Sequence, residues 1–280
     1  MKTKFFQSQK IMDNVTMIAG LAGELCYLVE GGEKALLVDG LSGIGSLKAF
    51  VRELTDLPVE LVLTHSHPDH MGAAFEYGKC YLHPDDIPGL YEAGDAERSY
   101  AFAAAGAKDF TLRMEDAVPC VPVCTLPVTD GHIFDLGGVQ LEVIAVPGHT
   151  WGSIVLLDRA ARVVYSGDAV NCNTLLFLGG ASIEEYREGL LHLNTFADAC
   201  DVLWGGHGGV SVPFSIVPDA VSLCDEIMTG TDDAFPGDFL GRPALYAREK
   251  DRFFRRKDGG IANIAYSRDR IWKKQTCGKQ

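Results

Sequence analysis

The feature that most constrains this chain is a short run of metal-ligating side chains, Thr64-His65-Ser66-His67-Pro68-Asp69-His70. The apolar residues just before it, 59–63, predict a buried strand, and residues two apart at the end of a strand point to the same side. Pro68 suits the first turn of a helix, which we expect to begin near Asp69. The bend would aim three imidazoles and one carboxylate into one small volume, so the segment predicts a metal site.

Three later segments share one design, in which a potential ligand follows glycine at the end of an apolar strand. They are Gly148-His149, Gly167-Asp168 and Gly206-His207. Glycine lets the backbone turn sharply and come close to a metal. Imidazole and carboxylate ligands together favour zinc, iron or manganese over calcium or magnesium. Asp39 also ends a predicted strand, either as a carboxylate that orients a ligating imidazole or as a turn residue.

The rest of the pattern predicts a layered α/β fold. Residues 23–40 indicate two strands joined at Gly31-Gly32, and 46–56 and 182–197 have helical periodicity. Segment 84–126 breaks the rhythm and is interpreted as an insertion, with a helical stretch at 96–110. Strands interleaved with helices favour two packed sheets. We expect one domain over 1–280, with a basic C-terminal extension at about 230–280.

Taken together, the motifs HxHxDH, GHTxGS, SGD and GGHG resemble the metallo-β-lactamase-like superfamily, in particular its glyoxalase II and lactonase branch. The resemblance covers about residues 20–210 and implies a four-layer αββα sandwich. It implies two divalent metal ions, most simply zinc, with iron or manganese as alternatives. The first ion would be bound by His65, His67 and His149, and the second by Asp69, His70 and His207, with Asp168 bridging both.

The activity that this resemblance implies is hydrolysis of a small-molecule ester, thioester or lactone by a hydroxide held between the two metals. Asp69 is the candidate catalytic residue, because an oxygen that is free of the metal would orient the nucleophile and then protonate the leaving group. Tyr186 is a candidate substrate contact by analogy with lactonases. On an amphipathic helix, however, a tyrosine is more often a core residue.

Other functions stay open at this stage. A mononuclear iron oxygenase of the persulfide dioxygenase type shares the fold but keeps fewer ligands. Phosphodiesterases and β-lactamases also share it, although true β-lactamases lack the bridging aspartate that Asp168 supplies here. A non-catalytic metal-binding protein is the remaining alternative, and pseudoenzymes of this fold usually lose ligands.

The net charge of −13 argues against nucleic acid as a partner, because phosphate binding requires Lys and Arg. The sequence shows neither an export signal nor 18 consecutive apolar residues, and its eight cysteines are scattered. These features predict a cytoplasmic protein with reduced thiols and no membrane partner. Nothing in the sequence specifies an oligomeric state.

Charge is distributed unevenly, since the segment from Arg242 to the end has 12 Lys and Arg but only 4 Asp and Glu. Either this basic extension packs on an acidic body, or it attracts an anionic substrate through Arg252, Arg255, Arg256 and Lys257.

Overall fold

The structure is a computed structural model that describes residues 1–106, 111–208, 211–239 and 241–274. Its first sheet has seven strands, which lie side by side in chain order. They are β1 (Gln7–Met12), β2 (Val15–Ala19), β3 (Leu25–Glu30), β4 (Ala35–Val38), β5 (Val59–Val62), β6 (Lys79–Leu82) and β7 (Cys124–Pro127). Pairing is antiparallel from β1 to β4 and parallel from β4 to β7.

The second sheet has six strands, and a third, smaller sheet has four. The second sheet contains β8 (Ile133–Asp135), β9 (Gln140–Ala145), β10 (Ile154–Asp158), β11 (Val163–Gly167), β13 (Val202–Gly205) and β14 (Val212–Pro213), in the spatial order β14-β13-β11-β10-β9-β8. The small sheet contains β12 (Thr174–Leu175), β15 (Phe235–Phe239), β16 (Arg242–Tyr246) and β17 (Ile264–Tyr266), in the order β12-β17-β16-β15.

Helices cover the outer face of each large sheet. They are α1 (Leu47–Arg52), α2 (Ala74–Tyr77) and α3 (Ile87–Ala93) on the first sheet and α5 (Ile183–Asn194) and α6 (Ile216–Thr229) on the second. A further helix, α4 (Ala96–Gly106), packs instead in a small separate cluster with Ile44, Leu112 and Ala117. In α5 the side chain of Ser182 accepts a hydrogen bond from the N–H of Glu185, whose carboxylate accepts one in return, so a capping box fixes where the helix begins.

Three hydrophobic cores show how the layers stack. One core lies between the two large sheets and contains Tyr27, Leu156 and Trp204. A second packs the first sheet against α1 and α2, and a third packs the second sheet against α5 and α6. The order helix, sheet, sheet, helix confirms the predicted four-layer αββα sandwich.

The prediction that a helix begins near Asp69 is wrong. In the structure α2 begins at Ala74, and Asp69 and His70 lie in turns. The carbonyl of His70 accepts a hydrogen bond from the N–H of Gly40, and Gly72 N–H donates to the carbonyl of Leu41. These contacts with the loop after β4 use the backbone groups that a helix through residues 69–73 would need.

The segment predicted as an insertion, 84–126, contains α3 and α4 and ends in β7, which joins the edge of the first sheet. The predicted helical stretch 96–110 forms a helix over Ala96–Gly106, and residues 107–110 lie outside the described part of the chain. That residues 1–280 form one domain stays a prediction.

The basic extension, 230–280, is folded over much of its described length. It supplies β15, β16 and β17, and its residues Ala247, Ala262, Ile264 and Tyr266 belong to the core under α5 and α6. Residues 240 and 275–280 of this extension lie outside the described ranges. Among the described helices, none is both long enough and apolar enough to span a membrane.

Candidate metal centre

Four chain segments bring the seven predicted ligands together, and each of them follows a strand. The segments follow β5, β9, β11 and β13 and carry, respectively, residues 65–70, His149, Asp168 and His207. The potential ligand atoms form three groups, each with its atoms within 4.8 Å of one another: His65, His67 and His149; His65, His70 and Asp168; and Asp69, His70 and His207. Because these groups share His65 and His70, they form one continuous cluster.

The first triad contains three imidazoles. His67 Nδ1 lies 2.8 Å from His149 Nε2, and the ring of His65 lies edge-on to both of these rings. His65 Nε2 is buried and has no hydrogen-bond partner in the described structure. Three nitrogen atoms therefore converge on one point, which is the donor set of a zinc-type site.

The second triad combines two imidazoles with a carboxylate. Asp69 Oδ2 lies 3.0 Å from His207 Nε2 and 3.8 Å from His70 Nε2, and the two imidazole nitrogens are 3.2 Å apart. The side chain of His207 is about one-third exposed, whereas that of His70 is fully buried. This triad therefore lies on the side of the cluster that is open to solvent.

Asp168 lies between the two triads. Its Oδ2 is 3.7 Å from His149 Nε2, 3.8 Å from His70 Nε2 and 3.5 Å from His207 Nε2. Its Oδ1 is buried and unpartnered within the described residues. A carboxylate that faces imidazoles of both triads is placed to be shared by two cations.

Asp39 fixes the imidazoles of His65 and His70. Its Oδ2 lies 3.0 Å from His70 Nδ1 and accepts a hydrogen bond of 2.9 Å from the hydroxyl group of Thr64, which in turn lies 3.1 Å from His65 Nδ1. Its Oδ1 accepts from the N–H of Thr64 at 2.7 Å. Both rings therefore present Nε2 to the cluster, and these contacts favour the orienting interpretation of Asp39 over that of a turn residue.

A backbone carbonyl orients the third imidazole of the first triad. His149 Nδ1 lies 2.9 Å from the carbonyl oxygen of Leu175, in the short strand β12, so Nε2 faces the cluster. Because β12 pairs with β17, this contact connects the first triad to the small sheet near the C-terminus.

Glycines allow the loops to approach closely, as the sequence indicated. A Cβ atom at Gly206 would lie 2.5 Å from His70 Cε1 and 2.8 Å from Asp168 Oδ1. A Cβ atom at Gly148 would lie 2.3 Å from the ring of Tyr186. A larger residue at either position would displace a ligand or the loop that carries one.

Tyr186 is the predicted site residue that the structure does not bring into the cluster. Its side chain is fully buried in the core under α5, and its hydroxyl group donates to Thr174 Oγ1 at 3.4 Å. Its ring supports the His149 loop at Gly148, so its role in the structure is packing, and it has no part in the function proposed below.

The pKa values of the histidines reflect how crowded the cluster is. Burial, together with the charges of neighbouring imidazoles, lowers the pKa of His65 well below its usual range and that of His67 to about 3. Burial would also lower the pKa of His70, but the carboxylates of Asp39, Asp69 and Asp168 raise it to about 10. Neutral imidazole is the ligating form, so His65 and His67 are ready to bind a cation, whereas His70 must first lose a proton.

The residues present fit divalent metal ions. Two buried donor atoms, His65 Nε2 and Asp168 Oδ1, have no partner in the described structure, and the remaining donors surround them. A buried polar group without a partner is costly, and a cation would satisfy both atoms.

The contributions of Thr64 and of the Leu175 carbonyl could not be predicted from the sequence. A threonine beside a histidine is common, and a backbone oxygen leaves no pattern in the sequence.

This geometry defines a class of protein: an αββα sandwich with a histidine- and aspartate-rich metal centre formed by loops that follow its strands. The sequence of this chain matches, over residues 19–196, the family model that describes the metallo-beta-lactamase superfamily. The chain therefore belongs to the metallo-beta-lactamase superfamily.

Similar proteins of known sequence include two thioesterases. The chain is 27% identical over 181 residues to the human acyl-coenzyme A thioesterase MBLAC2, a match that covers 57% of this chain and 63% of that protein. It is 25% identical over 195 residues to the atrochrysone carboxyl ACP thioesterase of Aspergillus novofumigatus, covering 68% of this chain and 50% of that protein. An uncharacterised protein of Mycobacterium leprae is 32% identical over 204 residues, covering 68% and 88%. The chain thus spans less than two-thirds of the human relative.

Solved structures show the same fold. A metallo-beta-lactamase family protein of Thermus thermophilus aligns with a TM-score of 0.52 at 22% identity, covering 81% of this chain and 80% of that chain. The DIM-1 metallo-beta-lactamase aligns with a TM-score of 0.57 at 13% identity, covering 79% and 97%. At these identities the likeness concerns the fold alone.

Proposed function

We propose that this chain is a metal-dependent hydrolase that cleaves small-molecule thioesters. The observation that carries the proposal is the convergence of seven ligands into two triads that share Asp168. More ligands are present than one tetrahedral ion can use. This number favours a dinuclear centre over the mononuclear iron site of an oxygenase.

His65, His67 and His149 would hold the first ion, Asp69, His70 and His207 the second, and Asp168 would contact both. Zinc is the ion that this donor set suits best, with iron or manganese as alternatives. Bound there, two divalent ions would lower the pKa of coordinated water towards about 7 and polarise the acyl carbonyl group.

The position of Asp69 supports a role as the proton carrier of the reaction. Its Oδ2 faces His207 and His70, which leaves Oδ1 available to the attacking water. Asp69 is also partly exposed, on the open side of the cluster where a substrate would enter. We infer that its carboxylate takes a proton from the attacking water and passes it to the departing thiolate.

Support for the substrate class comes from the relatives, two of which are named as thioesterases acting on coenzyme A or acyl-carrier-protein esters. The test is a substrate panel of acyl-coenzyme A thioesters, a lactone, a phosphodiester and a β-lactam, assayed with and without a chelator. We expect metal-dependent thiol release to dominate. Preferential cleavage of the phosphodiester or the β-lactam, or thioester cleavage that does not require metal, would overturn the proposal.

A first prediction concerns the number of metal ions. After reconstitution with excess zinc and removal of the unbound metal, we expect two ions per chain, because each triad supplies its own donors. Elemental analysis of the desalted protein measures this number directly. A limit of one ion per chain would contradict the dinuclear centre. His132→Ala is the control, because His132 lies outside the three ligand groups, and it should leave the number at two.

A second prediction concerns Asp39. Replacing it with alanine removes the acceptor at His70 Nδ1 and the anchor of Thr64 beside His65. Loss of such a supporting carboxylate typically lowers metal affinity by roughly 10–100-fold. Competition with a chromophoric chelator would measure the affinity. The exposed residue Asp13 supplies a control, Asp13→Ala, and equal affinities in the two variants would show that Asp39 is only a turn residue.

A further inference from the structure

A second buried carboxylate, Asp86, lies next to the metal centre but is not one of its seven ligands. It ends the short turn Pro84–Asp86 that follows β6, and only 3% of its surface is exposed. Its neighbour Asp85 has an exposed side chain. A buried carboxylate needs hydrogen-bond donors around it, and those of Asp86 come from two distant parts of the chain.

Three hydrogen bonds join Asp86 to the loops that carry the first triad. Its Oδ2 accepts from the N–H of Ser66 at 2.9 Å and from the hydroxyl group of Thr150 at 2.8 Å. Its Oδ1 accepts from the N–H of Gly152 at 2.7 Å. Ser66 lies between His65 and His67 in the chain, and Thr150 follows His149. One carboxylate thus holds both loops that supply the three imidazoles.

The residues after His149 are arranged around this carboxylate. The N–H of Thr150 donates to Ser153 Oγ at 3.0 Å, and the two hydroxyl groups lie 2.8 Å apart. A Cβ atom at Gly152 would lie 2.7 Å from Asp86 Oδ1, so a side chain there would push the carboxylate away. Thr150, Gly152 and Ser153 of the GHTxGS motif therefore serve the contact with Asp86.

We propose that Asp86 is a positioning residue for the first metal ion: it sets the spacing between the His65–His67 pair and His149. The inference rests on the proposed metal centre and goes beyond it, because it makes the affinity of one triad depend on a residue that contacts neither ion. The three bonds are strong, since a carboxylate acceptor makes shorter and stronger hydrogen bonds than a neutral oxygen does. Asp86 contacts the 65–70 segment at Ser66, between the two imidazoles of the first triad, and its other two bonds lead to the loop of His149. Because Asp69 and His70 lie further along the 65–70 segment and His207 lies on another loop, the second triad should depend on Asp86 less than the first does.

The test measures each triad alone. His207→Ala removes a ligand of the second triad and leaves the first complete, whereas His149→Ala does the reverse. Asp86→Asn is then added to each background, and zinc affinity is measured by competition with a chromophoric chelator. We expect a fall of roughly 10–100-fold in the His207→Ala background, as for other residues that orient metal ligands, and a clearly smaller fall in the His149→Ala background, where the bonds to Thr150 and Gly152 no longer serve a ligand. Asp85→Asn is the matched control and should change neither affinity.

The outcomes separate this role from the alternatives. Equal losses in the two backgrounds would indicate a general structural role and overturn the inference, as would unchanged affinity in both. If Asp86→Asn does not fold, Thr150→Val can replace it, because it removes only one of the three hydrogen bonds. We expect Thr150→Val to lower the zinc affinity of the first triad, and Thr150→Ser, which keeps the hydroxyl group, to retain it. Failure of the unaltered protein to bind zinc would overturn the metal centre itself, which is a distinct result.

Discussion

Replacing Asp69 with alanine is expected to lower kcat for thioester hydrolysis by roughly 10²–10⁴-fold, with a much smaller effect on KM. The reason is that its carboxylate is proposed to move a proton in the transition state, whereas the bound substrate gains little from it. Steady-state kinetics on protein of known metal content would measure the change. Turnover close to normal in Asp69→Ala protein that holds both ions would refute this role.

The same carboxylate is a proposed metal ligand, so loss of metal has to be separated from loss of the proton carrier. Asp69→Asn serves this purpose, because the amide keeps an oxygen ligand near His207 but does not accept a proton at neutral pH. We expect Asp69→Asn to recover metal content better than Asp69→Ala while kcat remains low. Recovery of both would show that Asp69 acts only as a ligand. Asp85→Asn, an exposed carboxylate nearby in the chain, is the control and should leave kcat unchanged.

The seven candidate ligands could be picked out of the sequence because each stands at a strand end or beside a glycine, and the structure brings their side chains together. A strand that ends in His-x-His places two imidazoles on one side whatever lies further along the chain. A glycine next to His149, Asp168 or His207 indicated a close approach, and the contacts at Gly148 and Gly206 agree with this. Asp39 also stood out, because a carboxylate at the end of an apolar strand needs a nearby donor.

Asp86 and the start of α2 could not be predicted, because both depend on contacts between distant segments. In the sequence Asp86 resembles its neighbour Asp85, and only the fold shows that Thr150 and Gly152 donate to one and not the other. The start of α2 was misplaced because the backbone before it bonds with the loop after β4. Local periodicity contains no information about either contact.

The basic extension was also only partly understood, since its charge pattern left two interpretations open. The structure favours pairing over substrate binding, although most of the partners lie within the extension itself and only Asp219, in α6, belongs to the acidic body. Arg255 pairs with Asp251, Arg256 with Asp219 and Asp258, and Lys257 with Glu249. Arg252 lies against the ring of Phe253. Charges that are already paired attract a distant anion weakly, so we do not assign substrate binding to Arg255, Arg256 or Lys257.

Arg256 gives the sharpest test of this interpretation. Its side chain is 8% exposed, and its Nη1 donates to Asp219 Oδ1 at 3.0 Å and to the carbonyl of Ala262 at 2.8 Å. Its Nε donates to Asp258 Oδ1 at 2.8 Å, so one guanidinium ties α6 to the loop before β17. Arg256→Glu would place a third carboxylate against Asp219 and Asp258. We expect the free energy of unfolding to fall by roughly 1–3 kcal/mol, because the guanidinium is buried but its partners Asp219 and Asp258 are partly exposed.

The adjacent Arg255 is a matched control, because it carries the same charge in a different environment. Its side chain is 74% exposed and pairs with Asp251 four residues earlier, so Arg255→Glu should change the free energy of unfolding by less than about 1 kcal/mol. Denaturant titration of both variants measures the difference. Electrostatic attraction of the substrate makes the opposite prediction. Both charge reversals would lower the rate of hydrolysis of an anionic thioester equally, and more strongly at low salt, but would leave the rate for a neutral thioester unchanged. A stability loss confined to Arg256→Glu, with the ratio of anionic to neutral rates unchanged in Arg255→Glu, would show that Arg256 is structural and that Arg255 does not attract the substrate.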